Sequence, residues 1–106
     1  MIQSMVKHIV MFKLRGSAEE RLEASRKFRD ALMELPAVID CLQDMEVGIN
    51  SNPAESWDVV LTATIDTMEN VEVYAKHPAH VAAAGIVLPL KEERACVDYL
   101  IYEESK

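Results

Sequence analysis

No run of about 18 apolar residues occurs in this chain, which excludes a helical membrane span. The N-terminus has no basic region followed by a long apolar stretch and a small-residue cleavage site, so no secretory signal is expected and the protein is expected to be cytoplasmic. Cations are scarce: 11 lysines and arginines face 18 aspartates and glutamates, the net charge is −7, and no segment concentrates the positive side chains. Binding to DNA or RNA depends on cations meeting phosphates, so no nucleic-acid partner is expected. The same acidity argues against anionic membrane surfaces. Cysteine occurs only at Cys41 and Cys96, without a C-x-x-C pair, and the two are read as reduced, buried thiols rather than a disulfide. Internal repeats, low-complexity tracts and nucleotide-binding motifs are also lacking.

What remains is a chain of 106 residues, half of them apolar and 27% charged, which is the size and composition of one globular domain. Met1 to Ser4 show no pattern. Residues 5–14 are β-branched and aromatic enough for a strand, with Val6, His8, Val10, Phe12 and Leu14 on one face and Met5, Lys7, Ile9, Met11 and Lys13 on the other. After the Arg15-Gly16 turn, Ser17-Ala-Glu-Glu20 matches a capping box. The helix it opens is expected to reach about Leu35, carrying Leu22, Ser25, Phe28, Leu32 and Leu35 on one stripe, until Pro36 breaks it. Glu23–Lys27 and Arg26–Asp30 are spaced as i,i+4 pairs.

Residues 42–49 alternate as a second strand with one wet face, Asn50 to Ser56 form a turn-rich loop, and residues 57–65 alternate as a third strand. Asp66 or Thr67 caps a helix carrying Val71, Tyr74 and Ala75. Pro78 then ends one helical piece at Lys76 or His77 and starts another, because proline is tolerated at a first helical position. Residues 94–102 supply the last strand. The order β-α-β-β-α-β predicts an α+β, ferredoxin-like domain over residues 1–106, with a core of about 5–102 and a four-stranded antiparallel sheet. Helices cover only one face of such a sheet, yet its strands read as apolar on both. A second copy packed sheet against sheet is the economical partner.

The stretch Tyr74-Ala-Lys-His-Pro-Ala-His80 holds two of the three histidines and a tyrosine. A helix break there leaves His77 and His80 near free backbone ends, and imidazole changes charge near physiological pH. The stretch is expected to wall a pocket for a small molecule. Three segments carry a family resemblance: Val6-Lys-His-Ile-Val-Met-Phe-Lys13, His77-Pro-Ala-His80 and Cys96-Val-Asp-Tyr99. Taken together over residues 5–102, they resemble the stress-responsive dimeric α+β barrel (Dabb) domain. The resemblance implies ferredoxin-like subunits that pair through their sheets into a barrel. It also implies kinship with plant polyketide cyclases, which close a linear polyketide by aldol condensation without a cofactor.

Carried over by position, the cyclase catalytic histidine falls at His80 and its supporting tyrosine at Tyr74. The first-strand pocket histidine falls at His8. A further pocket histidine falls at Asp58, which changes the local charge, and His77 joins the expected ligand-binding set. Cofactor-free aldol chemistry needs a base with a pKa near working pH and a donor for the developing enolate oxygen, roles open to histidine and tyrosine. Each residue also has a structural reading. His80 would cap a helix end or bond a backbone carbonyl, and Tyr74 would be amphipathic core. His8 would be a satisfied core histidine with Asp98 as one candidate partner, and Asp58 an exposed strand-end carboxylate. No metal site is expected, because zinc needs three or four converging ligands and the His77, His80 and His8 set lacks a supporting carboxylate or cysteine spacing. The expectation is a homodimer that binds a small apolar or aromatic molecule and acts on a carbonyl compound by cofactor-free acid–base chemistry, cyclase-like or isomerase-like. The alternative is a non-catalytic homodimer whose histidines serve packing and stability.

Overall fold

Hydrophobic alternation at period two and capping at Ser17 produce the expected elements in the expected order. The computed structural model describes residues 2–104, with side chains described for 4–102. Strand β1 (Ile2–Leu14) leads to helix α1 (Ala18–Met33), then β2 (Leu42–Ile49), β3 (Val59–Ile65), helices α2 (Glu69–Lys76) and α3 (Pro78–Ala84), and β4 (Lys91–Glu104). The sheet is four-stranded and antiparallel in the order β2-β3-β1-β4, a ferredoxin-like α+β fold.

Several boundaries move. Ile2 to Ser4, read as patternless, belong to β1 because β4 is long enough to pair with them, Ile2 opposite Glu104. Met1 lies outside the described residues. Strand β3 begins at Val59, two residues later than expected. Helix α1 stops at Met33, and Pro36 sits inside a short 3-10 turn over Leu35–Ala37. The capping box forms as read: the Ser17 hydroxyl accepts from the Glu20 N–H at 3.1 Å, and the Glu20 carboxylate accepts from the Ser17 N–H at 3.1 Å.

Ala24, Ser25, Phe28 and Leu32 are the buried face of α1. Leu22, expected on that stripe, is exposed, because it borders an open cleft beside the Asn50–Ser56 loop. The Glu23–Lys27 pair is present, whereas Asp30 contacts Arg29 instead of Arg26. Both cysteines are free; Cys41 is buried, but Cys96 is exposed because β4 lies at the sheet edge.

The helices cover one face of the sheet. Val6, His8, Val10, Phe12 and Leu14 of β1 point into that layer, with Leu61, Ala63 and Ile65 of β3 and Phe28 and Leu32 of α1. On the other face Met5, Ile9 and Met11 are half-buried, and Val97 and Tyr99 are exposed, although the strand pattern makes that face apolar. Among the described residues, no helix is long and apolar enough to cross a membrane.

Candidate active site

Pro78 shapes the site. Helix α2 ends at His77, whose backbone is extended (φ −61°, ψ 134°), and α3 restarts at Pro78. His77 is consumed by the break itself: its Nδ1 accepts the Ala79 N–H at 3.1 Å, making it the N-cap of α3. The turn that follows brings His80 back over α2, where its Nδ1 lies 2.9 Å from the Ala75 carbonyl oxygen. A carbonyl only accepts, so Nδ1 carries the proton and Nε2 of the neutral ring keeps its lone pair. Six residues separate Tyr74 from His80 in sequence, yet their rings stand 4.5 Å apart between centroids. On its other side Tyr74 meets His8 edge-on at 5.6 Å. The three rings touch in series, imidazole–phenol–imidazole, edge-on at His8 and tilted at His80, and this row of rings is the ring stack of the site.

His8 is buried on β1, directly opposite Asp98 of β4, and its Nδ1 lies 2.5 Å from the Asp98 carboxylate. That bond fixes the ring in the tautomer whose Nε2 is unprotonated when neutral. Cys96 is two residues along the same face of β4, its sulfur 3.7 Å from the same His8 nitrogen. Burial pushes the Cys96 thiol above its ordinary pKa of 9.0, with Asp98 adding in the same direction, so at neutral pH it is a thiol.

Burial also holds the His80 pKa below its ordinary 6.5; the bond to Ala75 opposes this, and the nearby His8, Arg94 and His77 add to it. Burial alone drives the Tyr74 phenol far above its ordinary 10, so Tyr74 is a proton donor and never a phenolate at working pH. Its hydroxyl is buried with no hydrogen-bond partner among the described residues. Native proteins rarely leave such a group unmatched.

His8 and His80 face a cavity of about 170 Å³. Its walls are Val10, Phe12, Phe28, Leu61, Ala75, Ala84 and Leu88, with Lys91 and Arg94 completing the lining. Tyr74 lies behind the two imidazoles rather than on this lining.

The structure therefore brings together His8, Tyr74 and His80. It leaves out Asp58 and His77. Asp58 accepts from the Leu14 N–H at 2.7 Å and from Arg21 Nε at 3.1 Å, so its carboxylate is occupied in closing the end of the sheet. His8 pairs with Ala63, five residues (63 − 58) beyond Asp58 along the strand, or about 16 Å at about 3.3 Å per residue. Asp58 borders the separate cleft of Arg21 and the Asn50–Ser56 loop.

Sequence reading named Cys96 as a buried thiol and as part of the Cys96–Tyr99 segment but did not place it at the site, and it did not single out Lys91 or Arg94. The i,i+2 spacing of residues 94, 96 and 98 on one strand face was the available signal. Nor did it foresee that His8, Cys96 and Asp98 would put three potential metal-ligating atoms within 4.8 Å of one another. The carboxylate and cysteine found missing by sequence spacing converge on His8 through strand pairing. The Nδ1 and carboxylate oxygen are already engaged with each other, and among the described residues no fourth ligand completes the tetrahedral set of a structural zinc site.

The four-stranded sheet under a one-sided helical layer has known counterparts. The chain belongs to the stress-responsive A/B barrel (Dabb) domain family, whose pattern it matches over residues 6–101. It is 26% identical over 98 residues to olivetolic acid cyclase of Cannabis sativa, covering 89% of this chain and 94% of the cyclase. A solved dimeric protein of unknown function from Bacteroides fragilis, also ferredoxin-like, is 48% identical with a TM-score of 0.86, covering 90% of this chain and 94% of that one. A hydroxynitrile lyase from Passiflora edulis shares the fold at a TM-score of 0.68 and 16% identity, covering 96% of this chain and 97% of the lyase.

Proposed function

We propose that the chain is a cytoplasmic homodimer that binds a small apolar carbonyl compound in the His8–Tyr74–His80 pocket and isomerises or cyclises it by acid–base chemistry without a cofactor. The observation that carries this reading is the ring stack beside an apolar cavity. Two imidazoles have their Nδ1 positions occupied, and a buried phenol has no partner for its proton among the described residues. His80 Nε2 takes a proton from the carbon next to a carbonyl, and the Tyr74 hydroxyl, which lies behind the imidazoles, donates to the developing enolate oxygen once the two imidazoles part to admit the ligand to it. The enolate carbon then attacks a second carbonyl of the same molecule, forming the ring bond, and the new alkoxide recovers the proton from His80. Asp98 and His8 hold the other wall of the stack. The 26% identity to a cyclase and the apolar lining support this reading. Pairing through the uncovered sheet face is supported by the dimeric relatives and by Ile9, Met11, Val97 and Tyr99 on that face.

A second reading has its own observation. His80 is bonded to a backbone carbonyl and Tyr74 is fully buried, so both already have structural work. Under it the protein is a non-catalytic homodimer whose histidines serve stability. His80→Ala separates the two. The catalytic reading expects the variant to melt close to wild type while binding or turnover of aromatic and polyketide-like carbonyl compounds is lost. A lower melting temperature, with no such compound bound by the wild type, supports the structural reading and refutes the catalytic one.

A further inference from the structure

We propose that the ligand of this cavity is a carboxylic acid of about one ring in size, its carboxylate held at the rim by Lys91 and Arg94. The inference rests on the pocket reading above and adds the chemical class of what enters. The protein carries a net charge of −7, so it repels anions at long range, yet both charged side chains lining this cavity are cations. Several cations elsewhere are matched, Lys13 with Glu93, Arg21 with Asp58, Lys27 with Glu23, Arg29 with Asp30 and Lys76 with Glu72, while Lys7, Arg15 and Arg26, which make no ion pair among the described residues, line no part of this cavity. Among the described residues, no carboxylate lies within ion-pair distance of Lys91 or Arg94. Of the acids on this part of β4, Asp98 is taken by His8 and Glu93 by Lys13, and Glu92 borders the separate cleft of Asp58.

Register explains the placement. Arg94 pairs with Phe12 and Lys91 with Leu14, so the cations sit at the Phe12 end of the cavity while His8 lies four residues (12 − 8) along β1. A ligand that anchors its acid at the rim therefore lays its apolar body along Val10, Phe12 and Phe28, towards the imidazoles. The volume, about 170 Å³, sets the body's size. An apolar cavity of roughly 150 Å³ takes benzene, so one ring or a short chain fits here. A guanidinium and an ammonium together suit a carboxylate, the first by a two-pronged bond and the second as a point charge.

The test compares phenylacetate with its uncharged isostere phenylacetamide by calorimetry on the wild-type protein and on a Lys91→Met, Arg94→Met double variant. Both side chains lie at the surface, and circular dichroism checks that the variant is folded. Phenylacetate is expected to bind wild type at least about tenfold more tightly than the amide. The double variant should erase that preference, weakening acid binding by about tenfold more than it changes amide binding. Raising salt should weaken the acid and spare the amide, a readout independent of any substitution. Equal affinity for acid and amide, or a preference that survives in the double variant, overturns this inference and leaves the pocket reading standing. Binding of neither compound overturns both.

Discussion

Tyr74→Phe removes one oxygen atom from the centre of the site and leaves the ring. Tyr74 is fully buried, its ring contacts His8 and His80, and its hydroxyl has no partner among the described residues. Truncation to alanine is uninformative, because opening a cavity of that size costs about 3–5 kcal/mol whatever the hydroxyl does. The phenylalanine variant keeps the packing and deletes only a buried, unmatched polar group, whose desolvation costs about 1–3 kcal/mol. The variant should therefore be as stable as wild type or more stable, by up to that amount. One kcal/mol raises the melting temperature of a domain this size by about 4 °C or somewhat more. If the hydroxyl stabilises an enolate oxygen, turnover should nevertheless fall by about 10²–10³, as for loss of one oxyanion donor. Urea unfolding at fixed protein concentration measures the first quantity, since the stability of the proposed dimer would depend on concentration. Stopped or continuous assay of a processed carbonyl compound measures the second. A loss of more than about 1 kcal/mol of stability would show that the hydroxyl has a structural partner and would refute the reasoning.

Two further outcomes follow from the same geometry. The His80 pKa is lowered in the folded state, so the unfolded chain binds more protons between that lowered value and the ordinary 6.5. Stability should then hold above about pH 6.5 and decline as pH falls through that window, and the acid limb of any pH–rate profile should lie below 6.5; a limb above it, or a His80 proton-titration by NMR above 6.5, would contradict the burial argument. Ile9 and Val97 face each other on the uncovered side of the sheet, and Val97 is exposed in the single chain, so Val97→Glu should leave the subunit folded and yield an 11.9 kDa species in sedimentation, whereas an unchanged dimer would place the interface elsewhere.

Local rules were enough for the order of elements, the capping box at Ser17, the helix break at Pro78 and the two-sided character of the strands. Each depends on residues within a few positions of one another: a hydroxyl three residues from a carboxylate, a proline without an N–H, a side chain on every second position. They also marked His8, Tyr74 and His80, because the helix break is written in the sequence and the resemblance lies in the same segments. Which of the marked residues meet was settled by strand register and by how α3 folds back on α2. Asp58 precedes the strand of Ala63, the partner of His8, stands five residues (63 − 58) away and is held by Arg21, so it and His8 line separate cavities. Asp98, Cys96 and Arg94 reach the site only because β4 pairs with β1 across some 90 residues of sequence (98 − 8 for the His8–Asp98 rung). A chain's own periodicity sets which way each side chain points. Only the packed sheet sets what it points at, because partner and register are fixed by the burial of the whole core and not by any one segment.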